Sequence, residues 1–158
     1  MIIFNYQKLE IIQTQTESYK MKNKELSTQD VELIVELIKK QEKKYARLVD
    51  EEERIANLGF GHDAWKLYKL KERLAKIQNI LQKVVSNPMD DLSIQDIETI
   101  YNVLTVGQVN YEDYIKFQVG LSENTRAHYK KIIKESKSMA KKVTNYLNER
   151  KTIEKNNS

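Results

Sequence analysis

Apolar side chains recur at intervals of three and four residues along the segment 63–86, and this spacing limits the fold more than any other feature. They form one helical stripe, made of Leu67, Leu70, Leu74, Ile77, Leu81 and Val84. A stripe of this period follows one face of an α-helix and has to be buried against another helix. Because the segment 28–57 carries a matching stripe, the sequence predicts that these two helices pack together.

Glycine and proline are rare enough to divide the chain into helices. The 158 residues contain four glycines and one proline, the residues that break helices most strongly. Between these breakers lie five segments of helical period, at 28–57, 63–86, 93–105, 111–119 and 122–149. The sequence therefore predicts an all-α fold, a bundle of about five helices built from antiparallel helical hairpins.

The predicted helices group into two units. The short connection at 58–62 permits only an antiparallel return, so residues 26–86 are predicted to form a first hairpin. Residues 92–149 are predicted to form a second helical unit that packs with the first as one globular unit. The structure of residues 1–25 is left open. Residues 150–158 carry too little apolar surface to offset their ordering entropy, so a disordered tail is expected there.

A nine-residue segment occurs twice, at 26–34 and at 92–100, and six of the nine positions are identical. Both copies read as helix starts. Ser27 and Ser93 are predicted N-caps, and the charges of Asp30 and Asp96 suit the positive end of a helix dipole. Two interpretations of this 66-residue offset remain open. One is a duplicated hairpin with pseudo-twofold symmetry, and the other is independent use of a common capping pattern.

The residue types present exclude several classes of function. There is no cysteine and there are only two histidines, so thiolate and histidine-rich metal centres are excluded. No glycine-rich segment ends in the Gly-Lys-Ser/Thr of a phosphate loop. The apolar cluster at residues 2–4 is too short for a membrane span. We therefore expect a cytoplasmic, non-enzymatic protein with no cofactor, no metal and no membrane contact.

Residues 111–133 resemble a helix-turn-helix motif, with Gly120 as the turn glycine followed by a helix that Ser122 caps. This resemblance implies DNA as a partner, with the second helix in the major groove. The residues at its leading turns would then face the bases. They are Asn124, Arg126 and His128.

Charge is unevenly distributed along the C-terminal half. Residues 126–151 hold nine basic residues against two acids, whereas residues 87–115 hold six acids and no Lys or Arg. Basic side chains on one helix face neutralise phosphates. The lysines expected to do so are Lys130, Lys131, Lys134, Lys137, Lys141 and Lys142. The alternative is that the acidic segment lies beside this basic helix and cancels its charge.

The leading hypothesis is a helical regulatory or accessory protein that binds DNA through its basic C-terminal helices. The alternative is a protein-binding adaptor or inhibitor, for example a phage or plasmid factor that masks a partner protein. Its candidate contacts are Trp65, the only tryptophan, and the acidic residues Asp90 and Asp91. A homodimer is a third outcome, because regular apolar stripes on a short chain often close against a second copy.

Overall fold

The computed structural model describes residues 26–59 and 63–157, and every regular element in these residues is helical. The α-helices are α1 (Thr28–Asn57), α2 (Ala64–Ser86), α3 (Ile94–Phe117) and α4 (Glu123–Asn157). One 3-10 turn, Met89–Asp91, lies between α2 and α3. The all-α prediction is confirmed, while the N-terminal segment 1–25 lies outside the described residues.

The predicted helix starts at Ser27 and Ser93 are confirmed. The Ser27 hydroxyl accepts a hydrogen bond from the amide of Asp30 at 3.0 Å, and the Asp30 carboxylate accepts one from the amide of Ser27 at 3.1 Å. The same reciprocal bonds join Ser93 and Asp96 at the start of α3. Each capping box therefore satisfies two of the amides that a helix start leaves without intrahelical partners.

The predicted break between residues 105 and 111 is wrong. Gly107 lies buried inside α3, which is continuous from Ile94 to Phe117, so the described residues form four α-helices rather than five. A glycine inside a helix costs about 1 kcal/mol relative to alanine. Leu104 and Tyr111, one turn on either side, pack in or against the core and offset this cost.

Each hairpin consists of two antiparallel helices. In the first, Tyr45 faces Arg73 and Glu52 faces Lys66, so residue numbers rise on α1 as they fall on α2. In the second, α3 and α4 are joined by two ion pairs in the same antiparallel order. These are Glu112 with Lys137 at 3.3 Å and Glu98 with Lys151 at 3.1 Å.

This pairing bears on the helix-turn-helix prediction. Residues 111–117 are the last turns of the long helix α3 rather than a separate short helix. The turn at 118–122 contains Gly120 at φ +82°, a left-handed conformation that favours glycine, and α4 then returns along α3. The helix-turn-helix-like geometry is therefore not confirmed.

The two hairpins meet along α1 and α3, which run parallel. Gln41 of α1 contacts Gly107, Lys44 lies over the ring of Tyr111, and Tyr45 accepts a hydrogen bond from Asn110. Partners in these contacts are about 66 residues apart, the offset of the repeated segment. Helix α1 also contacts α2 and α4, and α3 likewise contacts all three other helices, so these two helices join the hairpins.

One hydrophobic core joins all four helices. Its fully buried side chains are Ile34, Ile38, Ile97, Ile100 and Val143. None of the helices formed by residues 26–59 and 63–157 is long and apolar enough to cross a membrane.

The C-terminal part of α4 differs from the prediction of a disordered tail at 150–158. The helix continues to Asn157, although its residues after Lys151 are exposed. Arg150 donates hydrogen bonds to the carbonyls of Leu92 at 2.8 Å and Met89 at 3.4 Å. These bonds hold the helix at a point where the local sequence offers little apolar surface.

Candidate nucleic-acid interface

The predicted lysines of α4 divide into two sets according to their partners. Lys131, Lys137 and Lys142 form ion pairs with Glu135, Glu112 and Asp30, at 3.9, 3.3 and 2.8 Å. The other three are exposed, and none has an acidic partner within 4.0 Å in the part of the chain that the structure describes. We call this second set the lysine row: Lys130, Lys134 and Lys141.

The lysine row follows one line along α4. Its members are four and seven residues apart, and eleven residues make about three helical turns. They lie opposite the buried face of α4, which contains Ile132, Met139 and Val143. The row therefore points away from the bundle into solvent. The alternative that α3 cancels the charge of α4 applies to Lys137 and Lys151 but not to this row.

The three leading-turn residues of α4 do not lie together on one outward surface. Asn124 is exposed near the start of the helix. Arg126 is half-buried and its guanidinium lies 3.5 Å from the carbonyl oxygen of Ile115, so it ties α4 back to α3. His128 lies edge-to-face against Tyr129, with 5.5 Å between ring centroids, and faces a groove next to α1.

This groove, of about 320 Å³, is lined by basic and aromatic side chains and lies between α1, α3 and α4. We call it the tyrosine groove. Its cations are Lys40, Lys43, Lys44 and Arg47 of α1, and its rings are Tyr111, Tyr114, His128 and Tyr129. No aspartate or glutamate lines it, so the side chains that line it carry a net positive charge.

Burial at this groove changes two pKa values. Burial lowers the pKa of the Lys44 ammonium, and the neighbouring Arg47 lowers it further, while Asp113 acts in the opposite direction. Burial raises the pKa of the Tyr111 hydroxyl, with a smaller contribution from Tyr129. Both shifts show that the inner wall of the groove is partly removed from water.

The basic side of this groove is absent from the sequence predictions above. The signal was present, because residues 40, 43, 44 and 47 follow the spacing of one helix face. Their alignment with tyrosines 64 to 89 positions later depends on the packing of α1 against α3 and α4, which local spacing does not reveal.

A larger groove of about 530 Å³ lies between α1, α2 and α3. Its charged side chains have partners: Lys83 pairs with Asp96 at 2.9 Å, Arg73 donates to the Tyr45 hydroxyl at 3.3 Å, and Lys76 pairs with Glu72 at 3.8 Å. Tyr45 is its only aromatic residue and is buried. The tyrosine groove offers more unpaired charge and more ring surface to a ligand.

The residues predicted to contact a protein partner are far apart. Trp65 is 65% exposed at the start of α2, where it stacks on Tyr68 with 5.6 Å between ring centroids. Asp90 and Asp91 lie beyond the other end of α2, about 34 Å away for a helix of 23 residues. Asp90 accepts a hydrogen bond from the Tyr146 hydroxyl, whereas Asp91 is exposed.

No group of acidic or histidine side chains within residues 26–59 and 63–157 has the arrangement of a metal site. Comparison with known proteins gives no match: no family model, no curated protein and no solved structure is similar to this chain.

Proposed function

We propose that this chain is a non-enzymatic helical regulatory or accessory protein that binds DNA through α4. The observation that carries the proposal is the lysine row, whose three ammonium groups are exposed and unpaired among the described residues. From Lys130 to Lys141 the row spans about 16 Å of helix. This length matches roughly five base-pair steps of a duplex, so the lysines can meet several phosphates of one strand.

Charge elsewhere on the surface supports the same proposal. Lys40, Lys43 and Arg47 of α1 also form no ion pair within 4.0 Å in the described part of the chain. These cations line the tyrosine groove on the bundle side of α4, next to His128, whereas the lysine row lies on the opposite side of that helix. The described part of the chain therefore presents unpaired cations to a nucleic acid on two separate surfaces.

The test is binding of a mixed-sequence DNA duplex across a series of salt concentrations. We expect the logarithm of the affinity to fall linearly with the logarithm of the salt concentration. The triple variant K130Q/K134Q/K141Q should reduce the magnitude of that slope by about 2 to 3.

The matched control is K69Q/K71Q/K76Q, which removes the same charge from exposed positions on α2. It should change the affinity much less than the lysine-row variant does. Absence of binding at low salt, or equal losses in both triple variants, would contradict the proposal.

A second candidate function is a protein-binding adaptor or inhibitor. Because α1 and α3 are parallel, their C-terminal ends lie at the same end of the bundle. Exposed apolar side chains collect near both hairpin turns there, and they are Leu58, Trp65, Tyr68, Phe117 and Val119. Exposed aromatic residues of this kind are typical anchors for a protein partner.

The oligomeric state tests one form of this second function, in which the protein partner is a second copy of this chain. If the apolar end closes against a second copy, sedimentation should show a concentration-dependent dimer that the W65A/F117A variant abolishes. A monomer at all concentrations would exclude the homodimer and leave a different protein as the partner. Unchanged DNA binding by the same variant would show that the two surfaces act separately.

We also propose that the two hairpins arose by internal duplication. The support comes from two reciprocal ion pairs between the hairpins. Lys142 of the second hairpin pairs with Asp30 of the first, and Lys83 of the first pairs with Asp96 of the second. The two aspartates are equivalent positions of the repeated segment. An experimental structure in which 28–57 and 94–117 superpose at an offset other than 66 would contradict it.

A further inference from the structure

The tyrosine groove differs from the lysine row in offering ring surfaces as well as charge. Tyr129 lies at its centre, with its ring centroid 5.4 Å from that of Tyr111 and 5.0 Å from that of Tyr114. Tyr114 is 39% exposed, so part of the residue remains open to a ligand. Aromatic side chains at the edge of a basic groove are the elements that bind unpaired bases.

The cations of the groove form a single stripe on α1. Lys40, Lys43 and Arg47 are separated by three and four residues, so they follow one face of the helix. Lys44, on the same face, lies 5.5 Å from the centroid of the Tyr111 ring, which places an ammonium group directly beside the aromatic surface. Charge and ring surface therefore meet within one groove.

The combination of cations and exposed tyrosine surface favours one class of ligand over others. The phosphates of any nucleic acid would meet the cations, but a duplex keeps the faces of its bases stacked and inaccessible. An acidic peptide would satisfy the cations and leave the tyrosine rings unused. The volume of about 320 Å³ lies at the lower end of ligand pockets, which suits one nucleotide rather than a longer segment.

We propose that the tyrosine groove binds an unpaired nucleotide of a single-stranded nucleic acid. The base stacks on the exposed tyrosine surface, and the flanking phosphates lie against the cations of α1. This inference rests on the proposed function, nucleic-acid binding, and deepens it, because it names single-stranded nucleic acid as the substrate class of the groove.

The experiment compares a fluorescently labelled oligothymidylate of about 12 nucleotides with a duplex of equal length, by anisotropy at fixed salt. Thymine stacks weakly on itself, so its bases are free to stack on the protein. We expect tighter binding of the single strand. Tyr114→Leu should weaken single-strand binding about tenfold and leave duplex binding unchanged, because only an unpaired base can stack on the ring that this variant removes.

Two control variants separate the roles of ring and charge. Tyr114→Phe keeps the ring and should retain the affinity of the unmodified protein for the single strand. The variant K43Q/R47Q should weaken binding of the single strand, whereas Lys39→Gln, exposed on the same helix but outside the groove, should have little effect. Circular dichroism of each variant verifies that the helical fold is retained.

The outcomes distinguish this inference from the proposed function. If neither oligonucleotide binds, both fail. If the duplex binds through the lysine row and the single strand binds no more tightly, or Tyr114→Leu has no effect, only the groove inference is overturned. Displacement of the single strand by an acidic peptide of equal charge at equal concentration would also overturn it, since the groove would then recognise charge alone.

Discussion

Gly107 of α3 lies against the side-chain amide of Gln41 on α1. A Cβ atom at position 107 would lie 2.6 Å from Nε2 and 2.8 Å from Cδ of that amide. Gln41 is only 4% exposed, and its Oε1 has no hydrogen-bond partner among the described residues. The glycine therefore leaves room for the buried Gln41 side chain where two parallel helices pack closely, and it does not form a turn.

Substitution of Gly107 by alanine is expected to destabilise the protein. Alanine favours the helix by about 1 kcal/mol, but its Cβ would force the buried amide of Gln41 out of place. We expect a net loss of about 1 to 2 kcal/mol in the free energy of unfolding, measured by urea denaturation.

The same substitution should have the opposite sign once Gln41 is shortened. In a Gln41→Ala background there is no amide to displace, so Gly107→Ala should stabilise the protein by up to about 1 kcal/mol. The four proteins form a double-mutant cycle. Equal effects of Gly107→Ala in both backgrounds would show that the contact with Gln41 does not explain the glycine.

Acid is expected to weaken both helix starts. The hydrogen bond from Lys83 lowers the pKa of Asp96 against the effect of burial, which raises it. For Asp30, burial raises the pKa, but the hydrogen bonds from Lys142 and Ser27 together outweigh burial and lower it. Stability from such carboxylates is fully present above their ordinary pKa of 3.8 and is lost as the pH falls through the lower, folded value.

Asp96→Asn should therefore cost about 1 kcal/mol of unfolding free energy at neutral pH, the size of a well-formed ion pair. The difference from the unmodified protein should shrink as the pH falls below 3.8. Asp91→Asn serves as the control, because Asp91 is exposed and accepts no side-chain hydrogen bond in the described residues. A pH-independent effect of Asp96→Asn would exclude the charge as its cause.

One tyrosine should ionise at unusually high pH. Burial, together with the hydrogen bond to Asp90, raises the pKa of the Tyr146 hydroxyl to about 12. A raised tyrosine pKa contributes stability below its ordinary value of 10.0 that is lost as the pH rises toward 12. Ultraviolet titration of the nine tyrosines should show a late step that Tyr146→Phe removes. Persistence of that step in the variant would assign it to another tyrosine.

The end of α4 is expected to depend on Arg150 and not on the residues after it. Arg150→Ala removes the hydrogen bonds to the Leu92 and Met89 carbonyls and should cost about 2 kcal/mol in thermal denaturation. Deletion of residues 152–158 should change stability by less than about 0.5 kcal/mol, because the described residues there are exposed. A large loss on deletion would mean that these residues do contribute to the fold.

The parts of the fold that the sequence predicts correctly are those determined locally. Ser27 with Asp30, and Ser93 with Asp96, form capping boxes from residues three positions apart, so their pattern is complete within one turn. The apolar stripe of α2 likewise predicts a helix with one buried face, although only Ile77, Ile80 and Val84 of this helix are buried in the structure.

The errors fall where distant residues decide the outcome. Gly107 has the local properties of a helix breaker, but packing on both sides of it keeps α3 continuous. Residues 150–157 lack an apolar stripe, and the carbonyls that hold Arg150 lie about 60 residues earlier. At the candidate interface, two of the six predicted lysines are paired with acids of other helices that the local sequence does not bring together, and Arg126 turns inward because the Ile115 carbonyl is within its reach.

The reciprocal ion pairs, Asp30 with Lys142 and Asp96 with Lys83, link the unfolding of one hairpin to that of the other. Each hairpin supplies the lysine that pairs with the first-turn aspartate of the other hairpin. Unfolding of either hairpin therefore removes a counterion from a helix start of the other, and the first turn is the least favourable part of a helix to form. We therefore expect heat or denaturant to unfold both hairpins in a single cooperative transition, and not one hairpin before the other.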